Sequence, residues 1–560
     1  MPIPTGTRPF DRLAAELLED QLAAEPNLGT FLGITDHDDR VADKSAVAIV
    51  ERQRREDVWL QRFEALDDEL DLDERVDRDL VMMVLRGRRI MRDWEGWRRS
   101  PDDYAGSVLT GLQLLLLNRD ADDPGRAAAL AARLRGAPEL LAQGRANLEA
   151  ELAAPELVER GIGMARAGAG YARSIAGQVP DDQRAMVAGA GEAAGVAFDD
   201  FAGFLEGLAE KATGDWGIGE SRYDGLLRHA EGLSYGAREM RQRGRAVWQE
   251  LADDLRLRTR ELRGDDDWRA LLGELDRDHP PTPAAMLAGY QQATAAARAF
   301  CRENELVTLP EGESCQVLPS EPFTRPVIAV AHYMAPPPFS GRPRHGTFYV
   351  PYPPDGATAE QVGQRMATNA YSSQPTITVH EAYPGHHWHM AHLAAHQRRP
   401  LRYVFSSAYF TEGWGLYVEE MMKEQGFFAD PRAELRQVDM RLFRAARIVV
   451  DTSLHLGAMT IDEATEHMST RASLSPDTAR AEVLRYCAWP TQAASYLTGA
   501  LEIQRMRDEW LHQARGSLRD FHDLLAGTGR LPISLVDSYL AETAPTASEG
   551  SVGDRESGKA

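Results

Sequence analysis

The segment His380-Glu-Ala-Tyr-Pro-Gly-His-His387 gathers three imidazoles and a carboxylate within eight residues. Hydrolytic zinc sites need that inventory: neutral imidazoles or carboxylates converging on one point, an open position for water, and a carboxylate that takes the water's proton without ligating the metal. His380 supplies a first ligand and Glu381 the general base. In an ordinary zincin helix the second histidine lies four residues after the first, and here that position is Pro384. His386 and His387 follow at offsets of six and seven. Six steps of about 100° would point a side chain to the wrong face of an unbroken helix. Pro384-Gly385 is expected to insert a local bulge that returns His386 to the metal, since proline removes a backbone donor and glycine accepts unusual dihedrals. His387 would face correctly without a bulge, but two turns, about 10 Å, further along. His386 is the preferred second ligand and His387 the alternative; His389 is read as a neighbour.

A third ligand is expected on another helix, and Glu412 in Thr411-Glu-Gly-Trp-Gly-Leu-Tyr-Val-Glu-Glu420 is the candidate. Phe410, Trp414, Tyr417, Val418 and Met421 form a stripe that would bury this helix, where an unpaired carboxylate is costly. The flanking glycines permit close helix approach. Glu419, seven residues on, shares the face of Glu412 and suits an outer partner for a ligating histidine.

These residues must be carried by a larger scaffold. Apolar residues recur at helical spacing from about Phe10 to Asp278, as in Leu80, Met83, Val84, Ile90 and Met91. The run His279-Pro-Pro-Thr-Pro283 interrupts that pattern, β-like stretches follow at Cys315–Leu318, Val327–His332 and Thr347–Val350, and helices return from Thr376, including Ile377–His396 and Tyr409–Lys423. The expected organisation is mainly α with a small sheet (α+β): a helical lobe over residues 1–280, a catalytic lobe over 281–542 and a disordered tail over 543–560. Thr347–Tyr349 is read as an edge strand able to pair with an extended peptide.

Composition narrows the function. Sixty-three Lys and Arg against 86 Asp and Glu give a net charge of −23, which repels nucleic acid and anionic membranes. The 43% hydrophobic content is that of a folded globular chain, and no stretch approaches the roughly 20 apolar residues of a membrane span. Cys301, Cys315 and Cys487 are widely separated, so neither a disulfide framework nor a thiolate zinc site is expected. With an N-terminus that lacks a signal-peptide pattern, the expected location is cytoplasmic.

Two rival motifs are weak. Gly232-Leu-Ser-Tyr-Gly236 matches the serine-hydrolase elbow around Ser234, but the sequence before it is polar and helix-like where a buried strand is required. The Gly/Ala-rich stretch from Gly161 to Gly195 has no preceding strand and reads as close-packed helices rather than a phosphate loop.

The chain resembles the bacterial family of domain of unknown function 885, grouped with gluzincin-like zinc metallopeptidases. The resemblance rests on Asn27-Leu-Gly-Thr-Phe-Leu-Gly-Ile34, the His380–His387 core, Glu412-Gly-Trp-Gly-Leu-Tyr-Val-Glu419, Arg447-Ile-Val-Val-Asp-Thr-Ser-Leu-His455 and Pro490-Thr-Gln-Ala-Ala-Ser-Tyr496. It implies helical lobes around a deep cleft, one zinc ion per chain held by His380, His386 and Glu412, and peptide hydrolysis with Glu381 as base. Tyr496 and His455 are the candidate donors to the oxyanion, with Asp451 placed to orient His455. The expected activity is hydrolysis of peptide or peptide-like amide bonds; a peptide-binding scaffold without catalysis is the alternative.

Overall fold

The computed structural model describes residues 8–66, 69–120, 123–322, 324–325, 328, 330–340 and 345–543. The tail expected over 543–560 lies outside them apart from Thr543, which closes the helix Ile533–Thr543. Helices dominate from Pro9 onward and are interrupted by one small sheet between Ser314 and Val350. Their ends follow capping chemistry. Thr282 accepts a hydrogen bond from Ala285 N and Pro283 occupies the first turn of Pro283–Glu303, so the proline-rich run is a helix start.

One apolar core runs from Phe10 to Leu540 and contains residues from both halves of the chain. A second core lies between Tyr104 and Leu208. Within it, a Cβ on Gly168 would fall 2.8 Å from Phe198, and one on Gly191 would fall 2.7 Å from the Ala172 carbonyl oxygen. The Gly/Ala-rich stretch is thus close helix packing, as its composition suggests.

The sheet comprises β1 (Ser314–Pro319), β2 (His332–Met334) and β3 (His345–Val350) in the order β1-β3-β2. β3 pairs parallel with β1, Val317 opposite Phe348, and antiparallel with β2, Tyr333 opposite Phe348. Two expectations change here. Thr347–Tyr349 is not an edge: β3 is hydrogen-bonded on both sides and has no free edge for a peptide. The strand expected over Val327–His332 starts only at His332, and residues 327 and 329 lie outside the described ones. The free edge nearest the His-Glu motif belongs to β2.

Candidate metal centre

The motif is carried by two helices. Gln374–Glu381 ends at Ala382, and a second helix, His386–His396, starts after Gly385. The chain between them turns back on the first helix so tightly that a Cβ on Gly385 would lie 1.9 Å from the His380 carbonyl oxygen and 2.2 Å from that of Val379. Only glycine fits there. The turn is pinned from outside, since the indole of Trp414 donates to the Pro384 carbonyl at 2.9 Å. A full break therefore replaces the expected bulge, with the same result for His386: its ring centroid sits 4.7 Å from that of His380.

Glu412, in the first turns of the helix Ala408–Glu424, completes the group. Nitrogen or oxygen atoms of His380, His386 and Glu412 all lie within 4.8 Å of one another. Glu412 Oε2 is 3.7 Å from His380 Nε2 and 3.6 Å from His386 Nε2. Two donors bound tetrahedrally at about 2.0–2.1 Å from one zinc ion would be about 3.4 Å apart, close to both separations from Glu412. Outer support is present as well: Glu419, with its side chain only 1% exposed, meets His380 Nδ1 at 2.7 Å and leaves Nε2 facing the group. Burial depresses the His380 pKa, but the contacts with Glu412 and Glu419 outweigh it and raise the value to about 10. For Glu412 burial acts upward, and the two imidazoles hold its carboxyl far below the usual range. Each partner thus favours the charged form of the other.

The glycines around Trp414 place this helix. A Cβ on Gly413 would lie 2.6 Å from the Gly499 carbonyl carbon, and one on Gly415 would lie 2.5 Å from His380 Cε1. The Glu412 helix therefore packs against both the His380 ring and the helix Gln492–His512, and the expected stripe of Phe410, Trp414, Tyr417, Val418 and Met421 is buried.

Glu381 stands outside the ligand group. Its Oε2 accepts from the backbone N–H of Tyr333 at 2.9 Å, which sets the candidate base against the free edge of β2. Tyr496 lies on the Gln492–His512 helix one turn before Gly499; burial, and then the charge of Glu412, push its phenol pKa upward. His455 is not brought to the group. It follows Arg447, which stacks near Tyr496, by eight residues, a rise of about 12 Å along one helix. Its Nε2 meets the Tyr486 carbonyl at 3.1 Å, its ring packs on Trp216 and Tyr223, and burial lowers its pKa to about 4. Asp451 does not orient it by a hydrogen bond, being 3.8 Å away and bonded instead by the Tyr223 hydroxyl.

The alternative ligand His387 is turned away. Its Nε2 meets Glu313 at 2.8 Å and its Nδ1 meets the Tyr333 hydroxyl at 3.3 Å. Glu313 also accepts from Tyr383 at 2.6 Å and pairs with Arg298 at 2.8 Å. The sequence offered no sign of this buried set, because Glu313 lies in a loop with no periodicity to mark it. His389 is wholly buried against Phe410 and Trp414 and contributes no atom to the group. Ser234 is exposed in a turn between the helices Glu220–His229 and Ala237–Arg263, with no strand before it as a nucleophile elbow requires.

Comparison with known proteins yields fold and family but no activity. No curated protein matches the chain. Among solved structures, a "putative lipoprotein of unknown function" from Shewanella oneidensis aligns over 96% of this chain and 100% of its own, with a TM-score of 0.79 and 18% identity. A "putative lipoprotein" from Colwellia psychrerythraea aligns over 95% and 98%, also with a TM-score of 0.79 and 18% identity. Those descriptions overturn the expected cytoplasmic location, which rested on unpaired cysteines and an unremarkable N-terminus; a chain without disulfides can fold in either compartment. No described helix is long and apolar enough to cross a membrane. The model of the family described as bacterial protein of unknown function (DUF885) matches residues 26–540, and the chain belongs to that family.

Proposed function

We propose that this protein is a zinc-dependent peptidase of gluzincin-like type, with His380, His386 and Glu412 as metal ligands. The convergence of those three residues, with Glu381 adjacent but outside the group, carries the reading. A zinc ion bound there supplies a Lewis acid for the substrate carbonyl and lowers the pKa of water toward about 7. Glu381 takes the water's proton and returns it to the leaving nitrogen. The Tyr333 N–H keeps that carboxylate aimed while leaving its other oxygen free. Tyr496 donates its hydroxyl to the developing oxyanion, a role suited to a phenol kept protonated by burial beside Glu412.

Elemental mass spectrometry of the purified chain tests the ligands, with near one zinc per chain expected, and loss in His380→Ala and Glu412→Ala. A Glu381→Gln variant keeps the zinc and loses hydrolysis of a peptide library. Zinc retained by both ligand variants would refute the assignment, and turnover unchanged in Glu381→Gln would leave a peptide-binding scaffold.

A further inference from the structure

Next to Tyr496 two arginines share one carboxylate. Arg447, on the helix Pro431–His455, directs Nη2 to Glu482 Oε2 at 2.8 Å. Arg485, on the helix Pro476–Ala488, directs its own Nη2 to the same oxygen at 3.0 Å. That oxygen also accepts from the Tyr486 hydroxyl at 2.7 Å. Two guanidinium groups thus share one carboxylate, in a chain whose net charge is −23.

Arg447 is poised rather than saturated. Its guanidinium carbon sits 4.2 Å from the Phe443 ring centroid and 4.8 Å from that of Tyr496, so two aromatic rings fix its orientation. Nε donates to Tyr486 at 3.2 Å, while Nη1 has no hydrogen-bond partner among the described residues and is not one of the atoms sealed from solvent. The Arg447 side chain is 10% exposed and that of Arg485 20%. Arg447 therefore keeps one terminal nitrogen for a further acceptor, and a ligand anion would fill it.

Its place relative to the metal group follows from the helix crossing. Glu412 adjoins Gly413, Tyr496 precedes Gly499 by one turn, and Gly413 and Gly499 meet backbone to backbone. Tyr496 is therefore near both: the charge of Glu412 acts on its phenol, and its ring faces the Arg447 guanidinium at 4.8 Å.

We propose that Arg447 Nη1 forms a subsite for a carboxylate of the bound peptide, beside Tyr496, with Arg485, itself bonded to both oxygens of Glu482 and to Gln492, adding its charge nearby. The substrate class is taken from the peptidase reading, on which this inference rests. The carboxylate is either the peptide's C-terminus or an acidic side chain; the terminal case makes the protein cleave near the C-terminal end.

Calorimetric titration of the zinc-loaded full chain carrying Glu381→Gln separates these. Three ligands are compared: an N-acetylated apolar tetrapeptide as the free acid, the same peptide as the C-terminal amide, and an amidated analogue with an internal glutamate. Tighter binding of the free acid than of the neutral amide, by roughly tenfold to a hundredfold, is expected for a charge-assisted contact. Tighter binding of the glutamate analogue instead assigns the subsite to a side chain. In either case Arg447→Gln should bring the three affinities within about twofold of one another. Arg485→Gln, at a more exposed position, should narrow the difference if the Arg447 variant fails to fold. Equal affinities for all three ligands, or no binding of any at millimolar concentration, would overturn the subsite. A carboxylate preference retained by protein that binds no zinc would refute the peptidase reading alone.

Discussion

Alanine at position 415 tests the proposed metal centre without replacing any of its three candidate ligands. A Cβ there would lie 2.5 Å from His380 Cε1 and 2.8 Å from both ring nitrogens, where ordinary contact begins near 3.4 Å. The ring must retreat by about 0.9 Å. Glu419 blocks an easy rotation because it holds Nδ1 at 2.7 Å. Zinc ligand distances tolerate about 0.2 Å, so a shift several times larger should weaken the ion by roughly tenfold to a hundredfold. Global stability should change much less: alanine gains about 1 kcal/mol over glycine in a helix interior, against an overpacking cost of about 1–3 kcal/mol. Competition with a chromophoric chelator measures the zinc affinity, and thermal unfolding of the metal-free chain measures the fold. An unchanged zinc affinity in a folded Gly415→Ala protein would refute the placement of His380 as a ligand.

Three further outcomes are expected. Glu419→Gln should lower zinc affinity by roughly tenfold to a hundredfold in the same competition assay, while its helix stays buried. Glu313→Gln removes the carboxylate shared by Arg298, His387 and Tyr383, and denaturant unfolding should show a loss of about 3 kcal/mol. Glu231 supplies a pH test: burial raises its carboxyl to about 8 against an ordinary 4.5, despite its bond from Ser407. The folded chain thus keeps a proton that the unfolded chain releases, so this group's contribution to stability is full below about 4.5 and falls as pH rises to about 8. The loss is on the order of 5 kcal/mol across that window. Glu231→Gln should gain on the wild type between pH 5 and pH 8 in denaturant midpoints; a parallel pH dependence in the two proteins would contradict it.

Much of the site was legible because its parts leave local marks. His380-Glu381 announces itself by residue type, helix arithmetic rules out His386 on an unbroken helix, and Pro384-Gly385 marks where the helix must yield. The stripe beneath Glu412 and its flanking glycines show in the sequence because helical packing has a fixed period. Strand order does not: β1, β2 and β3 look alike as short apolar stretches, and only three-dimensional pairing decides that β3 is central and β2 the edge. Tyr333 and Glu313 reach the motif from 48 and 74 residues away, and a single loop residue carries no periodic signal. His455 shared a helix with Arg447 but not its end, a distinction that spacing cannot make without knowing which end meets the site. The compartment was misjudged because three cysteines that form no pair bear on redox chemistry only weakly.

The break at residues 382–385 separates this centre from one built on a single helix, where two histidines one turn apart are already aligned by local hydrogen bonds. Here the first histidine closes one helix, the second opens another, and the angle between them is set by the Gly385 contact and the Trp414 indole. An excised peptide covering 374–396 lacks that indole, so it carries both imidazoles without the geometry that makes them a chelate. On the proposed zinc reading, ion capture would be a property of the assembled tertiary structure, and bound zinc would report on its integrity.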